Sequence, residues 1–105
     1  MGHTVTFEKN GSSVTMDVWH DGKTGSIELV SSKYKKRGLA TTVMHKACEY
    51  ADYLDLELVL TISPFGDERT QMDKPELRAW YMTFGFLYEG DDVMARKRAT
   101  ERVEQ

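Results

Sequence analysis

Near residue 39 the hydrophobic pattern changes period, and this change constrains the fold more than any other feature of the chain. Before it, Val5 and Phe7 alternate with Thr4, Thr6 and Glu8, and Val14, Met16 and Val18 alternate with Thr15, Asp17 and Trp19, with Asn10-Gly11 in between. Alternation of two marks half-buried strands, and Asn-Gly marks a tight hairpin turn. The turn-rich cluster Asp21-Gly22-Lys23-Thr24-Gly25 leads into Ile27–Val30, so the first third predicts an antiparallel meander of three strands. After the change, Leu39, Val43, Ala47, Ala51 and Leu54 lie on one helical stripe, with Thr42, Lys46, Glu49 and Asp52 elsewhere around the cylinder. The apolar, branched run Leu56–Ile62 then reads as a buried strand. Strand, helix, strand in that order implies one parallel pairing inside a mostly antiparallel sheet.

The remainder closes that sheet. Asp73 to Glu76 has capping-box spacing with Pro75 in the first turn, and Leu77, Trp80, Tyr81 and Phe84 form a second helical stripe that ends at Gly85. Phe86–Tyr88 and Val93–Arg96 read as a last pair of strands around Glu89-Gly90-Asp91-Asp92, and 99–105 as a mobile tail. Ser63–Met72 is a polar loop placed to border a site. At 105 residues the chain is long enough for one core and too short for two. The expectation is a single α+β domain over 1–105. It has antiparallel strands in 1–31, strand, loop, helix and strand in 32–63, and a helix with closing strands in 73–98.

Charge and cysteine content narrow the function. A net charge of −3 argues against general nucleic-acid binding, while the basic clusters Lys33–Arg37 and Arg96–Arg98 favour a local anion site. Cys48 is the only cysteine, so no internal disulfide forms; a reducing, cytoplasmic setting and a core role for Cys48 are expected. No apolar run reaches membrane-spanning length. The three histidines, His20 and His45 among them, and the one cysteine have no metal-ligand spacing, so no metal is expected.

The stretch with the strongest chemical signal is Tyr34-Lys35-Lys36-Arg37-Gly38-Leu39-Ala40-Thr41, a basic loop broken by glycine between a strand and a helix. Gly38 lets backbone approach a ligand without a Cβ in the way. The free N–H groups of the following helix, together with Lys35, Lys36 and Arg37, favour an anion such as a phosphate.

Lys35-Lys36-Arg37-Gly38-Leu39-Ala40 resembles the pyrophosphate-binding pattern of the GCN5-related N-acetyltransferase family, with Gly38 and Ala40 matching and Lys35 standing where Gln or Arg is usual. Tyr81-Met82-Thr83-Phe84-Gly85-Phe86 resembles the family's tyrosine placed four residues before a Gly-Phe pair. Coverage runs from about Ile27 to Arg98, and the chain looks like the short, phage-type members. It lacks the strand and two helices that usually precede this hairpin and shape the acceptor pocket. The resemblance implies an abbreviated acetyltransferase fold with a mixed sheet and two main helices. It implies acetyl-CoA as co-substrate, and direct transfer of the acetyl group to an amine on a small molecule or peptide.

It also implies roles. Val30 would pair its backbone with the pantetheine arm, and Lys35 to Thr41 would hold the pyrophosphate. Tyr81 would be the general acid, since a free phenol is protonated at neutral pH. Glu28, alternating away from Ile27 and Leu29, is the best-placed base. Asp67, Glu68 and Asp73 would attract a cationic acceptor. Two other readings stand beside this one: an inactive module of the same fold binding protein or nucleic acid through Lys33–Arg37 and Arg96–Arg98, and a homodimer covering an open sheet edge.

Overall fold

Asn10 and Gly11, with φ of 50° and 86°, turn the chain through the left-handed conformation a tight hairpin needs, and so set the register of the first two strands. The computed structural model describes residues 2–32, 37–62 and 73–102, without the side chains of residues 29, 31–32 and 37–39. Strands β1 (His3–Lys9) and β2 (Ser12–Val18) pair antiparallel, and β2 pairs antiparallel with β3 (Thr24–Ser32). Helix α1 (Arg37–Leu54) crosses to β4 (Glu57–Thr61), which joins β3 in parallel. Helix α2 (Lys74–Met82) precedes β5 (Leu87–Gly90) and β6 (Val93–Arg96), and the six strands lie in the order β1-β2-β3-β4-β6-β5. The mixed sheet, its single parallel pair and the two helices are those the sequence predicts.

Both helices lie on one face of this sheet. Val43, Met44, Ala47, Cys48 and Ala51 of α1 are buried in one cluster with Val14, Met16, Ile27, Leu58, Leu60 and Met94 of the strands. Leu77, Tyr81 and Phe84 bring α2 into that same cluster, and Trp80 Nε1 donates to Thr41 Oγ1 of α1 at 3.1 Å. Among the described residues no helix covers the other face. Its side chains follow from the register: Thr4, Thr6 and Glu8 of β1, Ser13, Thr15 and Asp17 of β2, and Glu57, Val59 and Thr61 of β4 alternate with the buried positions.

Four local readings change. Strand β3 starts at Thr24, inside the predicted turn, because Asp21 draws that turn tight by accepting from the backbone N–H groups of Lys23 and Thr24. Helix α1 starts at Arg37, so Gly38 occupies its first turn and is not part of the preceding loop. Leu54, predicted on the buried stripe, is 38% exposed because the helix stops there. The stop is a Schellman arrangement, with Leu56 N–H donating to Ala51 O and Asp55 N–H to Asp52 O, and Asp55 at φ 58°.

The fourth change concerns the expected tail. Ala99–Glu101 forms a 3-10 turn, and Thr100 donates from its backbone N–H and hydroxyl to the Asp55 carboxylate. Arg102 pairs with Asp52 next to it. The acidic end of α1 is a docking point for this turn, because a helix C-terminus carrying two carboxylates attracts donors and cations.

Candidate functional site

Pairing between β3 and β4 covers only Thr24 to Ser26 against Glu57 to Val59. Past that point β3 continues to Ser32 and β4 to Thr61, but the two strands separate, β4 staying with β6 and β3 with β2. The opening between them holds a pocket of about 440 Å³. Ile27 and Leu60 form its apolar floor, and Ser26, Glu28, Val59 and Thr61 form the walls, with Asp17 and Trp19 at the side.

A bulge aims Glu28 into this pocket. In the β2–β3 register Thr15 faces Leu29 and Met16 faces Ile27, so Glu28 has no partner in β2. An unpaired residue of this kind bends its strand and redirects its side chain. Ser26 Oγ donates to Glu28 Oε2 at 2.5 Å, and Trp19 Nε1 donates to Ser26 Oγ at 3.4 Å. Gly25, just before the fork, is where β3 comes closest to the core: a Cβ there would stand 3.0 Å from Met16 Sδ and 3.1 Å from Leu58 Cδ2. A second hollow, about 320 Å³ on the outer side of α2 between Pro75, Met82 and Tyr88, has no carboxylate in its lining.

The other predicted site residues fall as follows. Val30 is half-buried on β3, opposite Val14 and beyond the last pairing with β4. Arg37, Gly38 and Leu39 form the first turn of α1, which carries no acidic residue to repel an anion. Ala40 is buried, leaving its backbone as the group able to act there. Thr41 has its hydroxyl engaged by Trp80, which ties the two helices together. Tyr81 is buried on the inner side of α2 against Trp80 and Phe86, on the opposite side of the sheet from Glu28. Lys33, Lys35, Lys36, the loop Ser63–Met72, and Asp67 and Glu68 within it lie outside the described residues.

Three expectations need correction. Asp73 does not serve an acceptor: its carboxylate accepts from Glu76 N–H at 3.0 Å while Glu76 accepts from Asp73 N–H, a complete capping box for α2. Arg96 is not part of a basic surface. It is 6% exposed, donating Nε to Phe84 O at 2.7 Å and its two terminal nitrogens to Asp52 at 2.8 and 3.1 Å. Arg98 is paired with Asp55 and Glu101, and Lys97 between the two arginines is exposed. Asp17, Trp19 and Ser26 are pocket residues that the sequence reading did not single out. Their signal was present: Asp17 and Ser26 alternate away from the core on β2 and β3, and Trp19 follows the end of β2 directly.

Cys48 is buried, and burial pushes its thiol up to about 11, which suits a core residue and not a nucleophile. Among the described residues no group of three or more His, Cys, Asp or Glu is placed to hold a metal ion, and no helix is long and apolar enough to cross a membrane.

No family model matches the chain, and no curated protein matches its sequence. Among solved structures, the fold is similar to that of the anti-CRISPR protein AcrVA5, with a TM-score of 0.71 at 19% identity, over 88% of this chain and 96% of that one. At that identity the likeness carries the fold alone: a small α+β domain with a six-stranded mixed sheet and two helices, the architecture expected from the sequence.

Proposed function

We propose that the protein is an acetyl-CoA-dependent N-acyltransferase that passes an acetyl group directly to an amine within a ternary complex. The observation that carries this reading is the fork between β3 and β4 with Glu28 redirected into it. The side of β3 left unpaired past Ser26 would accept an extended pantetheine arm near Val30, as a sheet edge accepts an added strand. Lys35, Lys36, Arg37 and the N–H groups of the first turn of α1, from Gly38 to Thr41, would hold the pyrophosphate.

The bound co-substrate supplies an activated carbonyl. Glu28 would take a proton from the amine as its nitrogen forms the new C–N bond. As the C–S bond breaks, the departing sulfur would take up a proton; Tyr81, the acid that the family resemblance implies, stands on the helix side of the sheet and outside the pocket lining, so its phenol would meet the sulfur only through the gap between β3 and β4. The products are an amide and the free thiol. The fold neighbour's anti-CRISPR role is compatible with this reading and identifies no acceptor for it.

Calorimetric titration of acetyl-CoA into the protein and into Gly38→Trp tests the reading. Micromolar binding that is lost in the variant, with its circular dichroism unchanged, supports it. Absence of heat at several temperatures refutes it.

A further inference from the structure

The two edges of the sheet are built differently. Edge strand β5 is four residues long, bulges between Tyr88 and Gly90 and carries Glu89 within the bulge, features that discourage another strand from pairing there. Edge strand β1 has none of them: it is seven residues long, matches β2 residue for residue without a bulge, and keeps its formal charges, Glu8 and Lys9, at one end. Among the described residues no strand pairs with its outer side. We infer that β1 pairs antiparallel with β1 of a second copy about a twofold axis through Thr6, joining the two sheets into one.

The hairpin fixes which backbone groups are available. A two-residue turn makes Lys9 and Ser12 a hydrogen-bonded pair, and such pairs alternate along an antiparallel ladder. His3, Val5, Phe7 and Lys9 therefore direct their N–H and C=O groups to β2, while those of Thr4, Thr6 and Glu8 point outward. Thr6 is the middle residue of the strand, so only a twofold there pairs its whole length. Thr6 then faces Thr6 of the second copy, Thr4 faces its Glu8, and every outward N–H and C=O gains a partner.

The side chains agree with this register. Val5 and Phe7 are half-buried on the helix side, and each would meet the other across the axis, an aromatic and β-branched pair of the kind that stabilises a sheet. Neither formal charge meets its like, since Glu8 falls opposite Thr4 and Lys9 opposite His3. Tyr50 of α1 packs edge-on against Phe7, with ring centroids 5.4 Å apart. Tyr53 and Leu54 lie one turn further along the same side of that helix and are 87% and 38% exposed. A twofold normal to the sheet brings both α1 helices to one face, so these side chains would line a shared apolar seam above Val5 and Phe7.

Sedimentation equilibrium of the full chain over a range of concentrations tests this. Wild type should reach twice the chain mass. Thr6→Lys, which sets two ammonium groups against each other at the axis, should self-associate about tenfold more weakly. Thr6→Pro removes an N–H that β2 does not use and should weaken association by about a hundredfold, with circular dichroism unchanged because an outward-facing edge position tolerates proline. Disulfide trapping under mild oxidation reads the register. Thr6→Cys should cross-link, because facing Cα atoms in such a pair lie about 5.5 Å apart, within disulfide reach. Thr4→Cys should not, since it faces Glu8 and stands about 14 Å from its own counterpart. Cys48 is buried and does not compete. A wild type that stays monomeric at millimolar concentration, a dimer as tight in Thr6→Lys as in wild type, or equal cross-linking of the two cysteine variants would overturn the inference. None of these outcomes bears on acetyl-CoA binding.

Discussion

Asp52→Asn isolates the contact that fastens the closing strands to α1. The Arg96 side chain is 7% exposed and has three donors placed, two of them on Asp52. Leaving a fully buried charge without its partner costs about 3–5 kcal/mol. The Asp52 side chain is 35% exposed, however, so water screens the pair and rehydrates part of what is lost. With one side of the pair buried and the other wet, the expected loss is about 2 kcal/mol, or roughly 10 °C in Tm for a domain of this size. Urea unfolding followed by far-ultraviolet circular dichroism measures it, with the slope expected to be unchanged.

Two controls sharpen the result. Arg102→Ala removes the other, more exposed partner of Asp52 and should cost less than about 1 kcal/mol. The second control is pH. The hydrogen bond from Arg96 is the leading cause holding the Asp52 carboxyl below its ordinary value of 3.8. A carboxyl depressed on folding stabilises fully above its unfolded value, and that stability is lost as pH falls through the folded value. The difference between wild type and variant should therefore be constant near neutrality and shrink below about pH 4. A loss under about 0.5 kcal/mol at pH 7, or one of equal size at pH 3, would refute the argument.

Three further outcomes follow from the same structure. Gly85 has φ +96°, where the chain leaves α2 and presents Phe84 O to Arg96, so Gly85→Ala should cost about 1–3 kcal/mol in urea unfolding. A value indistinguishable from zero would show that the turn relaxes. Cys48, buried and with its thiol raised to about 11, should resist a thiol-specific disulfide reagent at pH 8 until the protein unfolds; stoichiometric labelling within minutes would contradict its placement. Glu28→Gln should retain acetyl-CoA binding by calorimetry while slowing acetylation of a peptide acceptor by about 10²-fold, and an unchanged rate would remove Glu28 from the mechanism.

What the sequence determined by itself is the order and class of the elements. Periods of two and 3.6 are imposed by backbone geometry, so Val14-Met16-Val18 and Val43-Ala47-Ala51 announce a strand and a helix before any packing is known. The capping box of α2 was legible for the same reason, since Asp73 and Glu76 act within one turn. The tertiary structure alone decided what depends on contacts across the chain. Arg96 reads as surface charge until α1 brings Asp52 beneath it, 44 residues away. Thr41 gives no sign in the sequence that its hydroxyl accepts from Trp80 and ties the two helices together, and Ala99–Glu101 reads as a tail until Asp55 captures Thr100.

Glu28 lies between these cases. Alternation marks it as outward-facing, but only the bulge against β2 and the divergence of β3 from β4 turn that outward direction into a pocket shared with Asp17, Trp19 and Ser26. A local pattern records which way a side chain points. What stands in front of it is fixed by strands that arrive from elsewhere in the chain.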